Sequence, residues 1–187
     1  MPMLLPSSWR ITLLTSAPAI EPLLEALVAS VRARLAEHNI VDPRLVGIHS
    51  GGVWLARHLS QSLGLAEPIG ELDISFYRDD FTRVGMHPTV RPSRIPWDVE
   101  GKHLLLIDDV LYTGRTIRAA LNEIFDYGRP ASVTLAVLVS RNGRELPIEA
   151  GAFGARLILP PSQQLKLRGP APLHLELVER AGRGAGS

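Results

Sequence analysis

Two adjacent carboxylates, Asp108 and Asp109, stand between an apolar run and a small-residue turn in the stretch LLLIDDVLYTGRT at 104–116. The run at 104–107 predicts a strand buried on both faces of a parallel sheet, and the residues from Thr113 onward predict a helix. Carboxylates at the end of such a strand can bind sugar hydroxyls, and N–H groups at a helix N-terminus attract phosphate. Purely structural turns also use Asp, Thr and Gly, but they need at most one carboxylate. The stretch therefore predicts a site for a ribose phosphate.

The elements around this stretch alternate between strands and helices. Apolar residues at helical spacing predict a helix over 21–37, followed by a strand at 45–48, the turn HSGG at 49–52 and a helix over 53–63. The same order of strand, turn and helix recurs at 69–77, 103–127 and 132–139. This alternation predicts an α/β fold with a central, mainly parallel sheet flanked by helices.

Length and composition narrow the class of protein. At 187 residues, 45% of them hydrophobic, the chain is long enough for one domain, predicted over 1–180 with an irregular segment at 1–20 and a disordered tail at 181–187. Without cysteine it has no disulfide, thiolate metal site or cysteine nucleophile. No stretch approaches the ~20 apolar residues of a membrane span. A net charge of +1 gives no general attraction to nucleic acid, and we expect a cytoplasmic protein.

The stretch at 104–116 resembles the phosphoribosyl pyrophosphate (PRPP) motif of type I phosphoribosyltransferases. Three longer segments, 71–80, 108–121 and 125–148, are similar to the PyrR family, bifunctional regulators of pyrimidine operons with uracil phosphoribosyltransferase activity. The similarity extends from about Leu45 to Val178. It implies a single-domain type I phosphoribosyltransferase fold with a mobile catalytic loop, and conversion of uracil and PRPP to UMP and pyrophosphate.

The resemblance assigns roles to the residues of the motif. Asp108 and Asp109 are expected to bind the ribose hydroxyls and to favour the positive charge that develops on the ribose ring. The backbone at 113–116, with the Thr113 and Thr116 hydroxyls, is expected to hold the 5′-phosphate, while the Arg115 side chain faces solvent or pairs elsewhere. The full set expected to bind substrate here is Asp108, Asp109, Val110, Leu111, Tyr112, Thr113, Gly114, Arg115 and Thr116.

Other segments are expected to hold pyrophosphate. The turn at Ser50, Gly51 and Gly52 offers bare backbone, although the family pattern there is Thr-Arg-Gly and the arginine is missing. Arg78 is expected to reach pyrophosphate as a catalytic residue, unless it forms a surface ion pair. The segment at 79–99, interrupted by Gly and Pro, matches the catalytic loop, unless it is a solvated connector. Mg²⁺ is the expected counterion, held mainly by PRPP and water without a protein cage.

The sequence also contains candidates for recognition of the base and of RNA. The backbone around Val139, together with Arg141, is a candidate for reading uracil, with a surface position for Arg141 as the alternative. Binding of pyrimidine-operon leader mRNA needs basic residues, and the scattered candidates are Arg32, Arg34, Arg44, Arg141, Arg144 and Arg156.

Two alternatives to a uracil phosphoribosyltransferase stay open. One is an RNA-binding regulator that uses the pocket only to sense nucleotides; the other is a phosphoribosyltransferase for another base or a partner-regulating subunit of pyrimidine metabolism. A dimer or larger homo-oligomer is expected from the resemblance.

Overall fold

The computed structural model describes residues 14–74 and 92–179, which form three helices and seven strands. The helices are α1 (Ile20–Glu37), α2 (Gly51–Leu63) and α3 (Arg115–Tyr127). The strands are β1 (Arg44–Ile48), β2 (Gly70–Leu72), β3 (His103–Leu111), β4 (Ser132–Arg141), β5 (Ala152–Leu157), β6 (Gln163–Arg168) and β7 (His174–Glu179).

Strands β1 to β5 form one sheet in the order β2-β1-β3-β4-β5, and every neighbouring pair is parallel. The predicted α/β fold with a parallel sheet is confirmed. In this strand order the chain direction across the sheet reverses between β1 and β3, so the connections that leave these two strands diverge. The divergence opens a crevice at their carboxyl ends, which is where open α/β sheets bind ligands.

Two details of the predicted alternation were wrong. Helix α2 begins at Gly51 rather than at residue 53, so both glycines of the HSGG turn belong to its first turn. After β4 the chain does not form a helix: residues 142–151 form an irregular connection to the parallel strand β5. That connection is short because its residues turn back over the end of β3 instead of covering the sheet.

The core consists of two apolar clusters, one on each face of the sheet. Alternation along β3 divides its side chains, with Leu105 and Ile107 in one cluster and Leu104 and Leu106 in the other. Helices α1 and α2 cover the first face, together with leucines of β6 and β7, and α3 covers the second. All four of these β3 side chains are at most 1% exposed, as the continuous apolar run predicts for a strand buried on both faces.

Glycine allows α2 to approach the sheet closely. A Cβ at Gly47 would lie 2.6 Å from the Cα of Val53, and a Cβ at Gly52 would overlap the carbonyl oxygen of Ile107. Since the second obstacle is backbone of the central strand β3, it cannot rotate away. Gly52 therefore has a packing role, which places the start of α2 directly against β3.

Two further segments complete the fold. Strands β6 and β7 form an antiparallel hairpin, which the sequence analysis did not predict as a separate sheet. In the segment predicted as a loop over 79–99, residues 92–99 pack beside β2: Glu71 and Arg94 exchange two backbone hydrogen bonds of 2.8 Å. Residues 79–91, Arg78 and the predicted tail at 181–187 lie outside the described residues. Within 14–74 and 92–179, none of the helices has the length and apolarity needed to cross a bilayer.

We predict that Gly52→Ala destabilises the protein by about 2 kcal/mol or more, because the added methyl group overlaps the backbone of β3. The matched control is Gly70→Ala, where a Cβ would meet nothing closer than 3.4 Å; its effect should stay below about 1 kcal/mol. Urea unfolding at equilibrium measures both changes. Equal stability of the two variants would show that α2 is not held against β3 as described.

Candidate active site

A cleft of about 390 Å³ opens at the carboxyl edge of the sheet, at the divergence between β1 and β3. Its walls come from the start of α2, the end of β3, the turn into α3, and strand β6. The lining residues are Ser50, Gly51, Trp54, Asp108, Asp109, Val110, Leu111, Tyr112, Thr113, Gly114, Thr116, Ile117, Arg141, Gln164, Leu165, Lys166, Leu167 and Arg168. The structure thus brings most of the predicted substrate-binding residues into one cleft.

Asp108 and Asp109 form the floor of this cleft. Asp108 is 2% exposed, and its Oδ1 accepts a hydrogen bond of 3.0 Å from the backbone N–H of Asp109. Asp109 is half-buried, and its Oδ1 accepts one of 2.8 Å from the N–H of Val110. Each carboxylate is oriented by the backbone that follows it. Asp109 can accept a further hydrogen bond from a ligand hydroxyl, and Asp108 lines the cleft beside it.

The turn from β3 into α3 is held from outside by the connection that follows β4. The N–H groups of Glu145 and Leu146 both donate to the carbonyl oxygen of Thr113, at 2.9 and 3.2 Å. The guanidinium of Arg144 donates to the carbonyl oxygens of Leu111 and Tyr112. In a trans peptide the C=O and the next N–H point in opposite directions. Binding these carbonyls to the connection therefore turns the N–H groups of Thr113 and Gly114 away from it.

Helix α3 begins immediately after this turn. Gly114 precedes the helix with φ +94°, a conformation that favours glycine, and the Arg118 N–H makes a hydrogen bond of 2.9 Å to the Gly114 carbonyl. The earlier N–H groups of Thr116 and Ile117 precede that bond and have no partner within the helix. With the positive end of the helix dipole they favour an anion here. Arg115 contributes backbone only, because its side chain pairs with Glu145 at 2.6 Å.

Arg141 has a structural role that the sequence analysis missed. Its side chain is 4% exposed, so the alternative of a surface residue was wrong. The guanidinium donates to the carbonyl oxygen of Gln163 at 2.7 Å and lies 4.1 Å from the centre of the Tyr112 ring. Arg141 therefore connects the end of β4 with the start of β6 and supports the aromatic ring of the turn.

The turn between β1 and α2 forms the opposite wall. Ser50 is exposed at the cleft, and a Cβ at Gly51 would lie 2.8 Å from Oδ2 of Asp109. Glycine at this position therefore leaves room for the carboxylate. Beside the turn, Nε2 of His49 lies 2.9 Å from Oε2 of Glu71, whose Oε1 also pairs with Arg57 at 2.9 Å. This pairing attaches the turn to the edge strand β2.

Strand β6 supplies a further wall, which was not part of the predicted site. Residues 164–168 all line the cleft, and Leu165 and Leu167 are buried in the core. The alternation of polar and apolar residues in QQLKLR, with a second alternating run beyond GPAPL, is the signal that predicts a hairpin. The pattern does not indicate which part of the domain the hairpin packs against.

Three predicted substrate-binding residues do not line the cleft. Gly52 packs on β3, Val139 is fully buried inside the sheet between β3 and β5, and Arg115 points toward Glu145. The backbone of Val139 is used in the sheet, so its predicted role in reading the base has no support from its position. The predicted role of Arg78 concerns a residue outside the described ranges.

The arginines considered for RNA binding do not share one surface. Arg44 is at the start of β1, whereas Arg141 and Arg144 lie at the opposite, carboxyl edge of the sheet. Arg44 and Arg141 are buried, and Arg156 stacks on Phe153 at 4.6 Å. Arg34 pairs with Glu37, and Arg32 is exposed with a hydrogen bond to the Ser62 carbonyl. Most of these side chains are therefore occupied by contacts within the chain.

Chemically, the cleft combines a pair of carboxylates with a helix N-terminus, an arrangement that suits a sugar phosphate. Within residues 14–74 and 92–179 no group of three or more Asp, Glu or His side chains could hold a metal ion. The fit to Mg²⁺ is nevertheless good, because this ion commonly binds through one or two carboxylates plus substrate phosphates and water. Asp108 and Asp109 are the carboxylates that line the cleft.

Comparison with known proteins agrees with this chemistry. The family model of the phosphoribosyl transferase domain matches residues 12–164. A relative from Pseudomonas paraeruginosa named bifunctional protein PyrR is 58% identical over 161 residues, covering 86% of this chain and 95% of its own. Another protein of that name, from Nitrosococcus oceani, is 55% identical over 160 residues, covering 84% of this chain and 90% of its own.

Solved structures support the fold. A hypoxanthine phosphoribosyltransferase from Staphylococcus aureus superposes with a TM-score of 0.60 at 22% identity, covering 80% of each chain. The Trypanosoma cruzi hypoxanthine phosphoribosyl transferase gives a TM-score of 0.61 at 18% identity and covers 83% of this chain and 84% of its own. At such low identity the similarity concerns the fold alone.

We predict that Gly51→Ala lowers the affinity for ribose 5-phosphate by about tenfold, because the new methyl group displaces the Asp109 carboxylate that would bind the sugar. Titration calorimetry measures the affinity, and thermal unfolding checks that the variant is folded. Gly70→Ala, outside the cleft, is the control and should bind as the parent does. Unchanged affinity in Gly51→Ala would mean that Asp109 does not contact the sugar.

Proposed function

The chain belongs to the phosphoribosyl transferase domain family and, within it, to the PyrR proteins, and from this premise we propose that it is a uracil phosphoribosyltransferase that also regulates pyrimidine genes. The reaction joins a nitrogen of uracil to C1 of PRPP and releases pyrophosphate, with UMP as the other product. The observation that carries the proposal is the single cleft that combines Asp108 and Asp109 with the N-terminus of α3.

The proposed mechanism relies on positioning and charge. As the bond between C1 and pyrophosphate lengthens, positive charge builds on the ribose ring. In this proposal Asp108 and Asp109 bind the 2′ and 3′ hydroxyls, which orients the ring, and their negative charges favour the cationic transition state. Neither carboxylate needs to remove a proton. The N–H groups and hydroxyls of 113–116 hold the 5′-phosphate, and the backbone of Ser50 and Gly51 faces the pyrophosphate.

The proposal includes a divalent cation that binds together with PRPP. When bound, Mg²⁺ supplies positive charge to the pyrophosphate, and Asp108 and Asp109 are the side chains in the cleft that would hold it. The residues of the chain still determine the orientation of the sugar. They do so through the two carboxylates and the phosphate-binding turn, whose geometry is fixed by internal hydrogen bonds.

Regulation is proposed to act through the same cleft. UMP carries the ribose phosphate that the turn and carboxylates bind, so it can occupy the cleft without pyrophosphate. Binding of leader mRNA that depends on UMP would then couple gene expression to the supply of pyrimidine nucleotides. A cytoplasmic location belongs to this proposal, because nucleotides and messenger RNA are found there. Association into a dimer or larger homo-oligomer stays a prediction.

We predict that Asp108→Asn and Asp109→Asn each lower kcat/KM for UMP formation by about a hundredfold or more, because each removes a negative charge from the ribose site. Asn has nearly the same shape, and its side-chain oxygen can still accept the backbone hydrogen bonds that Asp108 and Asp109 receive. Labelled uracil, PRPP and Mg²⁺ with purified protein provide the assay. The matched control is Asp126→Asn, an exposed aspartate of α3 outside the cleft.

The parent protein decides between the alternatives in the same assay. UMP formation above background supports the enzyme, whereas none, together with binding of UMP, would leave a nucleotide sensor. Turnover with another base but not with uracil would indicate a different phosphoribosyltransferase. Full activity in both Asn variants would contradict the role of the carboxylates.

We predict that saturating UMP tightens binding to pyrimidine-operon leader RNA by about tenfold, as expected for coupled sites. Gel-shift titration with and without UMP measures the effect, with an unrelated RNA of equal length as the control. Asp109→Asn should reduce the effect of UMP without changing the binding seen in its absence. Equal affinity for both RNAs would count against a regulatory role.

A further inference from the structure

We propose that Lys166 on β6, which lines the same cleft as the Ser50–Gly51 turn, binds the pyrophosphate group of PRPP. The inference rests on the proposed function, since it assigns a residue to the leaving group of that reaction. Lys166 belongs to β6, a wall of the cleft that lies outside the motif at 104–116. Three observations carry it: the path of β6, the pairing of its charged side chains, and the space at Gly51.

Strand β6 crosses the cleft from one side to the other. At its start, the carbonyl oxygen of Gln163 accepts a hydrogen bond of 2.7 Å from Arg141, at the end of β4. Just after its end, a Cβ at Gly169 would lie 2.8 Å from Cε3 of Trp54, whose backbone N–H donates to the Ser50 carbonyl at 3.3 Å. The strand therefore runs from β4 to the turn before α2 and contacts β3 between them. Lys166 is near the middle of this span.

The side chain of Lys166 is on the side of the strand away from the core. Leu165 and Leu167, 3% and 7% exposed, belong to the apolar cluster. Alternation places Lys166 on the opposite side, together with Gln164 and Arg168. Lys166 is half-buried and lines the cleft, so a ligand there would shield its ammonium from water further. Such shielding strengthens attraction to an anion.

The ammonium of Lys166 is not committed to a neighbouring acid. Glu176 of β7 lies directly opposite Lys166 in the hairpin. Its Oε2 instead accepts a hydrogen bond of 2.7 Å from Nε of Arg168 and forms an ion pair of 2.7 Å with Nη2 of the same side chain. Among the residues that the structure describes, Lys166 has no hydrogen bond or ion pair. Of the other cations lining the cleft, Arg141 donates to carbonyl oxygens and Arg168 pairs with Glu176.

The turn before α2 carries no cation of its own, because Ser50 and Gly51 stand where the family pattern has threonine and arginine. Glycine at position 51 leaves the space beside the Asp109 carboxylate open, since a Cβ there would lie 2.8 Å from its Oδ2. The turn can therefore offer backbone to the pyrophosphate but no charge. Pyrophosphate is the most strongly charged part of PRPP. Among the described residues that line the cleft, Lys166 is the cation without a hydrogen bond or an ion pair. The positive charge of Lys166 favours contact with the pyrophosphate over contact with the neutral base.

Titration calorimetry with two ligands tests the assignment. PRPP with Mg²⁺ carries the pyrophosphate, while UMP shares the ribose and 5′-phosphate but lacks it. We expect Lys166→Met to weaken PRPP binding by about tenfold or more and to leave UMP binding within about twofold of the parent. Lys166→Arg keeps the charge and should retain most of the PRPP affinity. Lys102→Met, at the only other lysine of the chain and outside the cleft, should bind both ligands normally.

Each other outcome has a definite meaning. Unchanged PRPP affinity in Lys166→Met overturns the assignment, and so does an equal loss for PRPP and UMP, which would place Lys166 on a group that both ligands share. Equal loss in the Met and Arg variants would show that the side chain acts through packing rather than charge. Failure of the parent protein to bind PRPP would overturn the proposed function itself, and the assignment with it.

Discussion

The close approach of the first turn of α2 to the backbone of β3 determines the geometry of the cleft. Gly52 lies where a methyl group would overlap the Ile107 carbonyl, and Gly51 lies where one would crowd the Asp109 carboxylate. Where β1 and β3 diverge, the turn before α2 thus packs directly on the backbone of β3 and on the Asp109 carboxylate. Because packed backbone yields little, the fold sets the distance between the Ser50 turn and the backbone of β3 that carries the two aspartates. A ligand that bridges them meets a site of fixed width.

The second wall is rigid for a different reason. The turn at 112–114 connects a buried strand to a helix, but its carbonyls are bound by residues 144–146, about thirty residues further along the chain. These bonds determine which way the peptide groups face, so the phosphate-binding N–H groups are oriented before any ligand arrives. Preorganised donors of this kind need no rearrangement when charge develops. The connection after β4 therefore contributes to the site, although its Arg144 is not among the residues that line the cleft.

The features of the cleft that could be predicted from the sequence are those formed within one short segment of the chain. The strand at 104–107, the paired aspartates and the helix after Thr113 form one continuous segment. The structure contains all three, although β3 continues through the aspartates to Leu111 and α3 begins at Arg115. Gly51 and Gly52 were predicted to be a bare turn because glycine pairs usually are, but packing on β3 lets them form a helix. The roles of Arg141 and Arg144 depend on contacts with residues 18 to 33 positions away, and no local pattern shows such contacts. The docking of β6 on the cleft is equally nonlocal.

Negative and positive side chains in the cleft lie on different strands: the aspartates are on β3, and Lys166 and Arg168 are on β6. The turn at Ser50 and Gly51 carries no basic side chain, and glycine at position 51 leaves room for the Asp109 carboxylate. In the proposal the positive charge comes from a separate strand, because β6 lines the same cleft and its exposed Arg168 pairs with Glu176 of β7. Attraction between charges falls with distance and with the water between them. A lysine on that strand can then meet an anionic leaving group without cancelling the negative field beneath the sugar, so that both charges act on the bond that breaks.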